Sequence, residues 1–270
     1  MLARVASASM CMLVVARRVH PRYPLIVVAN RDEVLDRPTE PLHEWTADRE
    51  GTAGIVAGRD VTAGGTWLAL AAGGRVAAVT NFREPGTPPP SDASRGELPV
   101  NGLAGPVPTT DYVRHIAPDL DRYAGVNLLA GDPDELWWAS NRSRRGPERL
   151  GEQVHGLSNA ALDTPWPKVT GAAIDVQRYV DDDAVSHPDW STPLLDLLAD
   201  RRRAPLHRLP RTGVPLTQEW RLSSRFVRVG RWYGTRSTTA IRIDEHGTTD
   251  VVERTWDARG RIAGTATARV

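Results

Sequence analysis

Cysteine is almost missing from this chain of 270 residues: Cys11 is its single representative. One cysteine excludes an intramolecular disulfide, and no Cys/His cluster has zinc spacing, so neither a disulfide scaffold nor a structural metal is expected. Lysine is as scarce. Lys168 is the only one in a set of 34 basic residues, which reads as a compositional bias toward arginine and not as a binding surface. A charge excess of one sign is lacking too. The 34 Lys and Arg face 33 Asp and Glu, and a net charge of +1 gives no field to gather nucleic acid or an anionic membrane. A small-molecule substrate or ligand is therefore the expected partner. No apolar run approaches a membrane span, and the opening "MLARVASAS" has no apolar stretch long enough for a signal peptide. These absences predict a cytoplasmic protein. No internal repeat shows, and nothing in the sequence marks an oligomeric state.

What is present reads as strands at both ends with helices between. The β-branched runs "MLVVA" (12 to 16) and "LIVVA" (25 to 29) around "HPRYP" predict a first hairpin. "TWLALAA" (66 to 72) and "RVAAVTN" (75 to 81) predict a second, turned by Gly73 and Gly74. "GVNLLAG" (125 to 131) and "ELWWAS" (135 to 140) predict a third around "DPD". "STTAIRI" (237 to 243) and "TTDVVERTW" (248 to 256) predict a last one around "DEHG". Segment 164 to 182 predicts a helix with Thr164 at its cap and Val169, Ile174, Val176 and Tyr179 on its apolar stripe. Segment 191 to 203 predicts another, with Ser191 at the cap and arginines closing it. The Pro, Ser and Gly-rich stretch 83 to 98 reads as a surface loop. The pattern is neither βαβ alternation nor pure β, and it predicts an α+β fold of stacked, mainly antiparallel sheets covered by helices.

Several residues can carry chemistry. Cys11 follows Met10 and opens a strand; as a first residue it would join a thiol to an α-amine, whose pKa of roughly 7.7 to 8.0 suits it as the activating base. As an internal residue it is simply a small buried hydrophobe. "ANRDEVLDRP" (29 to 38) crowds Asn30, Arg31, Asp32 and further charges at a strand end, either as a solvated turn or as a site. Asn30 and Asp32 share one strand face by the period of two. There a carboxylate can hold an ammonium, and an arginine such as Arg31 can pair a substrate carboxylate. Asn81, ending "TNF", can offer its amide to an oxyanion. Asn159 lies in the loop "GLSNAALDTPW", "GGTW" with Trp67 can bring backbone close to a ligand, and Arg225 and Arg236 stand among the aromatics of "SSRFVRVGRWYGTRSTT".

Together, "MC" before a strand, "ANRDE", "GGTW", "VTNF", "GLSNAALDTPWPK" and "YGTRSTT" resemble the NRDE-motif family, also called the transport and Golgi organisation protein 2 family, in order from Met10 to about Trp256. That family is in turn similar to N-terminal nucleophile hydrolases of the bile-salt-hydrolase and penicillin-V-acylase kind. The resemblance implies a four-layer αββα sandwich with Cys11 as nucleophile, Asp32 as the carboxylate beside it, Asn81 at the oxyanion and Asn159 as a second polar group. It also implies a late arginine. Arg225 in "SSRF" resembles the hydrolases, and Arg236 in "YGTR" is the one typical of the NRDE family. Asn30, Arg31, Arg225 and Trp67 complete a substrate-binding set. Family members usually begin at the "MC", so residues 1 to 10 are expected to be a leader or a start placed too early, with one domain over 11 to 270.

Two functions follow. One is cysteine N-terminal nucleophile hydrolysis of a non-peptide amide C–N bond, or the related acyl transfer, with no cofactor required. The other is non-catalytic binding and trafficking of heme, acyl-CoA or lipid on the same scaffold, since a fold does not fix a function.

Overall fold

A computed structural model of the chain describes residues 10–46, 51–86, 91 and 93–270. Of the expected leader, residues 1 to 10, positions 1 to 9 lie outside the described residues, as do 47–50 and, in the Pro-rich loop, 87–90 and 92, while Met10 opens the first strand. The strands are β1 (Met10–Arg17), β2 (Leu25–Val34), β3 (Thr39–Glu44), β4 (Val56–Asp60), β5 (Leu68–Ala71), β6 (Arg75–Asn81), β7 (Val126–Gly131), β8 (Leu136–Ser140), β9 (Glu148–Arg149), β10 (Val154–Leu157), β11 (Arg228–Val229), β12 (Tyr233–Ile243), β13 (Thr249–Trp256) and β14 (Ile262–Arg269). The helices are α1 (Glu97–Ala104), α2 (Thr109–Ile116), α3 (Pro167–Asp181), α4 (Ser191–Leu198) and α5 (Leu216–Arg221).

Two antiparallel sheets are stacked face to face. The first is ordered β10-β1-β2-β12-β13-β14, with β11 on β12; the second is a meander from β3 to β9. Helices α3 and α4 cover the outer face of the first sheet, and α1 and α2 cover that of the second. The αββα arrangement predicted above is thus observed. Because both faces of β1 and β2 are covered, their side chains from Cys11 to Ala16 and Leu25 to Arg31 are all buried, which is why these strands read as continuous apolar runs and not as alternations. Alternate residues go to different layers. Cys11, Leu13, Val15, Leu25, Val27 and Ala29 enter the core between the sheets, whereas Met12, Val14, Ala16, Ile26 and Val28 pack on α3 and α4. Each such Val, Leu or Ile contributes about 1.5–3 kcal/mol on burial.

All four expected hairpins form. The three-residue loop Ala72–Gly74 joins β5 to β6, and its Gly73 and Gly74 both have positive φ (78° and 69°), a conformation that favours glycine. The last hairpin is followed by one more strand, β14, on β13. Three local expectations are corrected. Helix α3 is capped by Trp166 with Pro167 in its first turn, while the Thr164 hydroxyl bonds Ala161 O instead. Ile174 faces solvent at 48% exposure, and Ala172 and Val180 take the stripe with Val169, Val176 and Tyr179. Helix α4 stops at Leu198, uncapped by Ser191, so Arg201 to Arg203 lie beyond it. The reason is tertiary: Phe226 N–H donates to Asp200 O at 2.9 Å and Ala204 N–H to Ser223 Oγ at 3.0 Å, drawing the chain out of the helix.

Candidate functional site

The register of β1 on β2 sets the site. Met10 pairs with Asp32, Cys11 with Arg31 and Met12 with Asn30, so the Met10–Cys11 peptide lies alongside the "NRDE" stretch. By the strand period, Cys11 and Arg31 face the gap between the sheets, and Asn30 and Asp32 face the helices. A cleft of about 370 Å³ opens on the first side. Its walls include Cys11, Arg31, Glu33, Asp60, Asn81 and Arg95.

Among the described residues, every charged group on that wall except Arg95 is paired with its opposite. Arg31 reaches Asp60 at 3.2 Å and Glu33 at 3.8 Å, donates to Thr39 Oγ1, and lies 4.4 Å above the ring of Trp67, which also lines the cleft. Arg37 Nε donates to Asp60 Oδ2 at 2.6 Å. Burial works against the Asp60 charge, yet the Arg37 hydrogen bond and the nearby cations hold its carboxyl below the usual range. Arg95 has no carboxylate within 4.0 Å among the described residues; it donates to Gly125 O at 3.2 Å.

Cys11 itself is 5% exposed. Burial and the Asp32 charge push its thiol up to about 12, against Arg31 and the Asp32 backbone N–H, which favour the thiolate. No histidine lines the cleft. In the chain with Met10 attached the sulfur is therefore a protonated, weakly nucleophilic thiol at neutral pH.

Behind it, on the helix side, lies a second polar set. Asp32 accepts from Thr235 Oγ1 at 2.6 Å, and burial raises it to about 6 while Lys168 and the Thr235 bond hold it down. Lys168, in the first turn of α3, is 5% exposed and its Nζ makes no hydrogen bond among the described residues. Burial draws its ammonium down to about 8, opposed chiefly by Asp32. Beside it Arg83 and Glu219 form a buried ion pair, with the Arg83 guanidinium 4.5 Å above Trp166.

The expected residues thus separate. Cys11, Arg31, Trp67 and Asn81 share the cleft. Asp32 stands behind it. Asn159 is a brace: its Nδ2 donates to Asn81 O at 2.8 Å and its own O accepts from Arg83 N–H at 2.7 Å, which fixes the end of β6. Asn30 donates to Leu198 O and Arg225 O and accepts from Thr238, so it ties β2 to the helix layer. Arg236 donates to Val34 O and Arg37 O and holds the turn that carries Arg37. Arg225 pairs with Asp175 at 2.6 Å and with Leu197 O, joining α3 to α4 away from the cleft. Of the two late arginines, Arg236 is the one near the cleft wall. Sequence reading passed over Arg95, hidden in a loop-like "SRGEL", and Lys168, whose signal was its uniqueness just ahead of a helical stripe.

The sequence pattern of the family described as Transport and Golgi organisation 2 matches residues 10–258. The chain belongs to that family. Curated relatives include the Transport and Golgi organization 2 homolog of Mus musculus, 31% identical over 244 residues, and the Homo sapiens homolog, 31% identical over 245 residues, each alignment covering 86% of both chains. The Bos taurus homolog is 30% identical over 247 residues with the same coverage. Among the described residues, no helix is long and apolar enough to cross a membrane, and no group of three or more His, Cys, Asp or Glu is placed to hold a metal ion.

Proposed function

We propose that this cleft performs acyl transfer from a small-molecule amide, hydrolytic when water is the acceptor, once Cys11 is the first residue of the chain. The observation that carries the reading is the register: Met10 lies opposite Asp32, so loss of residues 1 to 10 leaves the Cys11 nitrogen beside a buried carboxylate and its sulfur on the cleft wall next to Asn81. The new α-amine takes the thiol proton, and the thiolate attacks the substrate carbonyl. The Asn81 side-chain amide donates to the oxyanion. Collapse breaks the C–N bond, the ammonium returns the proton to the leaving amine, and water then cleaves the thioester to the acid and free thiol. Asp32 holds the α-ammonium in place. No cofactor enters these steps. The single buried thiol is in keeping with a reducing, cytoplasmic setting. The intact mass of the protein from its native host tests the premise: a chain that begins at Cys11 supports it, and one that begins at Met1 or Leu2 contradicts it. Loss of turnover in Cys11→Ala with the fold intact supports the chemistry, and full activity in that variant overturns it.

A second reading, a cleft that binds without turnover, is favoured by the thiol pushed up to about 12 while Met10 stays attached. Heme fits this cleft poorly. Its one soft donor is a protonated buried thiol, and although Trp67, Val79 and three alanines supply some apolar wall, Arg31, Glu33, Arg37, Asp60 and Arg95 interrupt the continuous apolar face a macrocycle needs. A Soret shift abolished by Cys11→Ala would restore heme; no spectral change at micromolar heme leaves a polar ligand.

A further inference from the structure

We propose that the ligand of this cleft is an oxyanion, a carboxylate or phosphate monoester, and that Arg95 is the residue that binds it. The inference rests on the acyl-transfer reading only in calling that ligand a substrate. Three cations line the cleft, Arg31, Arg37 and Arg95, against two carboxylates, Glu33 and Asp60. Both carboxylates are engaged by Arg31, and Asp60 by Arg37 as well, while Arg95 feels Glu33 and Glu84 only at longer range and has no carboxylate within 4.0 Å among the described residues. Arg236, which also lacks a carboxylate partner among the described residues, adds a further positive charge behind the wall. An exposed arginine would shed such an imbalance into water. Arg95 is half buried in a concave site, where field lines concentrate and an anion is worth more.

The arginine is also built in. Its neighbour Gly96 is clasped by the "GGTW" loop: Thr66 N–H donates to Gly96 O at 2.9 Å, and a Cβ on Gly65 would lie 2.4 Å from the Gly96 carbonyl. Only a glycine at 65 permits that approach. The Gly125 carbonyl holds one guanidinium nitrogen, and the other N–H groups keep the planar fork that grips a carboxylate or phosphate with two parallel bonds. Cys11 lines the same cleft, so an anion on Arg95 would sit in the cavity that the sulfur also faces. Arg31, expected to pair a substrate carboxylate, also lines the cleft but already contacts Asp60, Thr39 and Trp67, so Arg95 has more donors to offer an incoming anion.

The test is calorimetric titration of the full-length Cys11→Ala protein with N-acetylglycine, its uncharged amide, and methyl phosphate. Without the thiol no turnover is possible, so the result speaks for the anion site alone, while the acyl-transfer reading is judged separately by the activity of the intact chain. N-Acetylglycine or methyl phosphate is expected to bind at least about tenfold more tightly than the amide, the factor a single charge-assisted contact supplies. Carboxylate preference without phosphate preference would name the carboxylate as the source of the oxyanion, and the reverse the phosphate. Adding Arg95→Gln is expected to bring the probes within about twofold, and Arg95→Lys, which keeps the charge and loses the fork, to fall between. Gly65→Ala, which displaces Gly96 without touching the charge, is expected to weaken the preference. Equal binding of all three probes in the parent, no anion binding at millimolar concentration, or a preference that survives Arg95→Gln would each overturn the proposal.

Discussion

The two faces of β1 and β2 at the level of "NRDE" carry charge in opposite ways. On the cleft face, Arg31 and Arg37 share Asp60 in a partly solvated network that holds the carboxyl below its usual range. On the helix face, Asp32, one residue further along the same strand, and Lys168 of α3 are both buried and both shifted toward neutrality. The same residue types therefore do different work according to strand parity alone. The cleft side keeps its charges paired and partly solvated, and the back keeps its charges buried and drawn toward neutrality near Cys11.

The largest effect is expected at Cys11, which lies on the cleft face and whose thiol feels the Asp32 charge behind it. Cys11→Ala in a chain whose first residue is position 11 is expected to lose turnover by at least about a thousandfold while its thermal melt stays close to the parent's, because a small side chain replaces another small one. Lys168→Met strikes the helix face alone. Asp32 would then keep a buried charge without its principal cation, at a cost of about 1–3 kcal/mol at pH 8. The sign follows from linkage. A carboxyl raised to about 6 from 3.8 gives stability below its unfolded value and loses it as pH climbs to the folded value. Without the ammonium the folded value climbs further. Melts of Lys168→Met are therefore expected to show a deficit that grows from pH 5 to pH 8, and the double variant with Asp32→Asn to recover most of it.

Legibility in the sequence followed the same divide. The hairpins of β1 with β2 and of β5 with β6 were readable because two covered faces demand unbroken apolar runs and Gly73-Gly74 names its own turn. Strands β3 and β4 were not. Pro41 and flanking charges disguise β3, which as an edge strand tolerates both. Periodicity put Asn30 and Asp32 on one face but could not say which, and that face proved to be the helix side, so Asn30 fastens α4 to the sheet. Arg95 was unreadable because a Pro and Ser-rich stretch looks the same whether it floats in solvent or folds back against Gly65. Lys168 was discounted as compositional bias, since burial has no signature in a single residue.

Smaller effects sharpen the contrast. Asp60→Asn removes the anion that Arg31 and Arg37 share, so binding of a carboxylate probe to the cleft is expected to tighten a few-fold at low salt and to converge with the parent at high salt. Arg225→Gln removes the Asp175 contact far from the cleft and is expected to cost about 1 kcal/mol in denaturant melts with no change in probe affinity.

Whether Cys11 gains its base by becoming the first residue is measured directly by the rate of iodoacetamide alkylation of Cys11 against pH, in the full chain and in one that begins at Cys11. The full chain is expected to show no inflection below about pH 10, with a rate at pH 7 roughly a thousandfold below that of an ordinary thiol, as a value near 12 requires. The chain that begins at Cys11 is expected to titrate near or below pH 8 and to react far faster at pH 7. Superimposable profiles in the two chains would contradict the account.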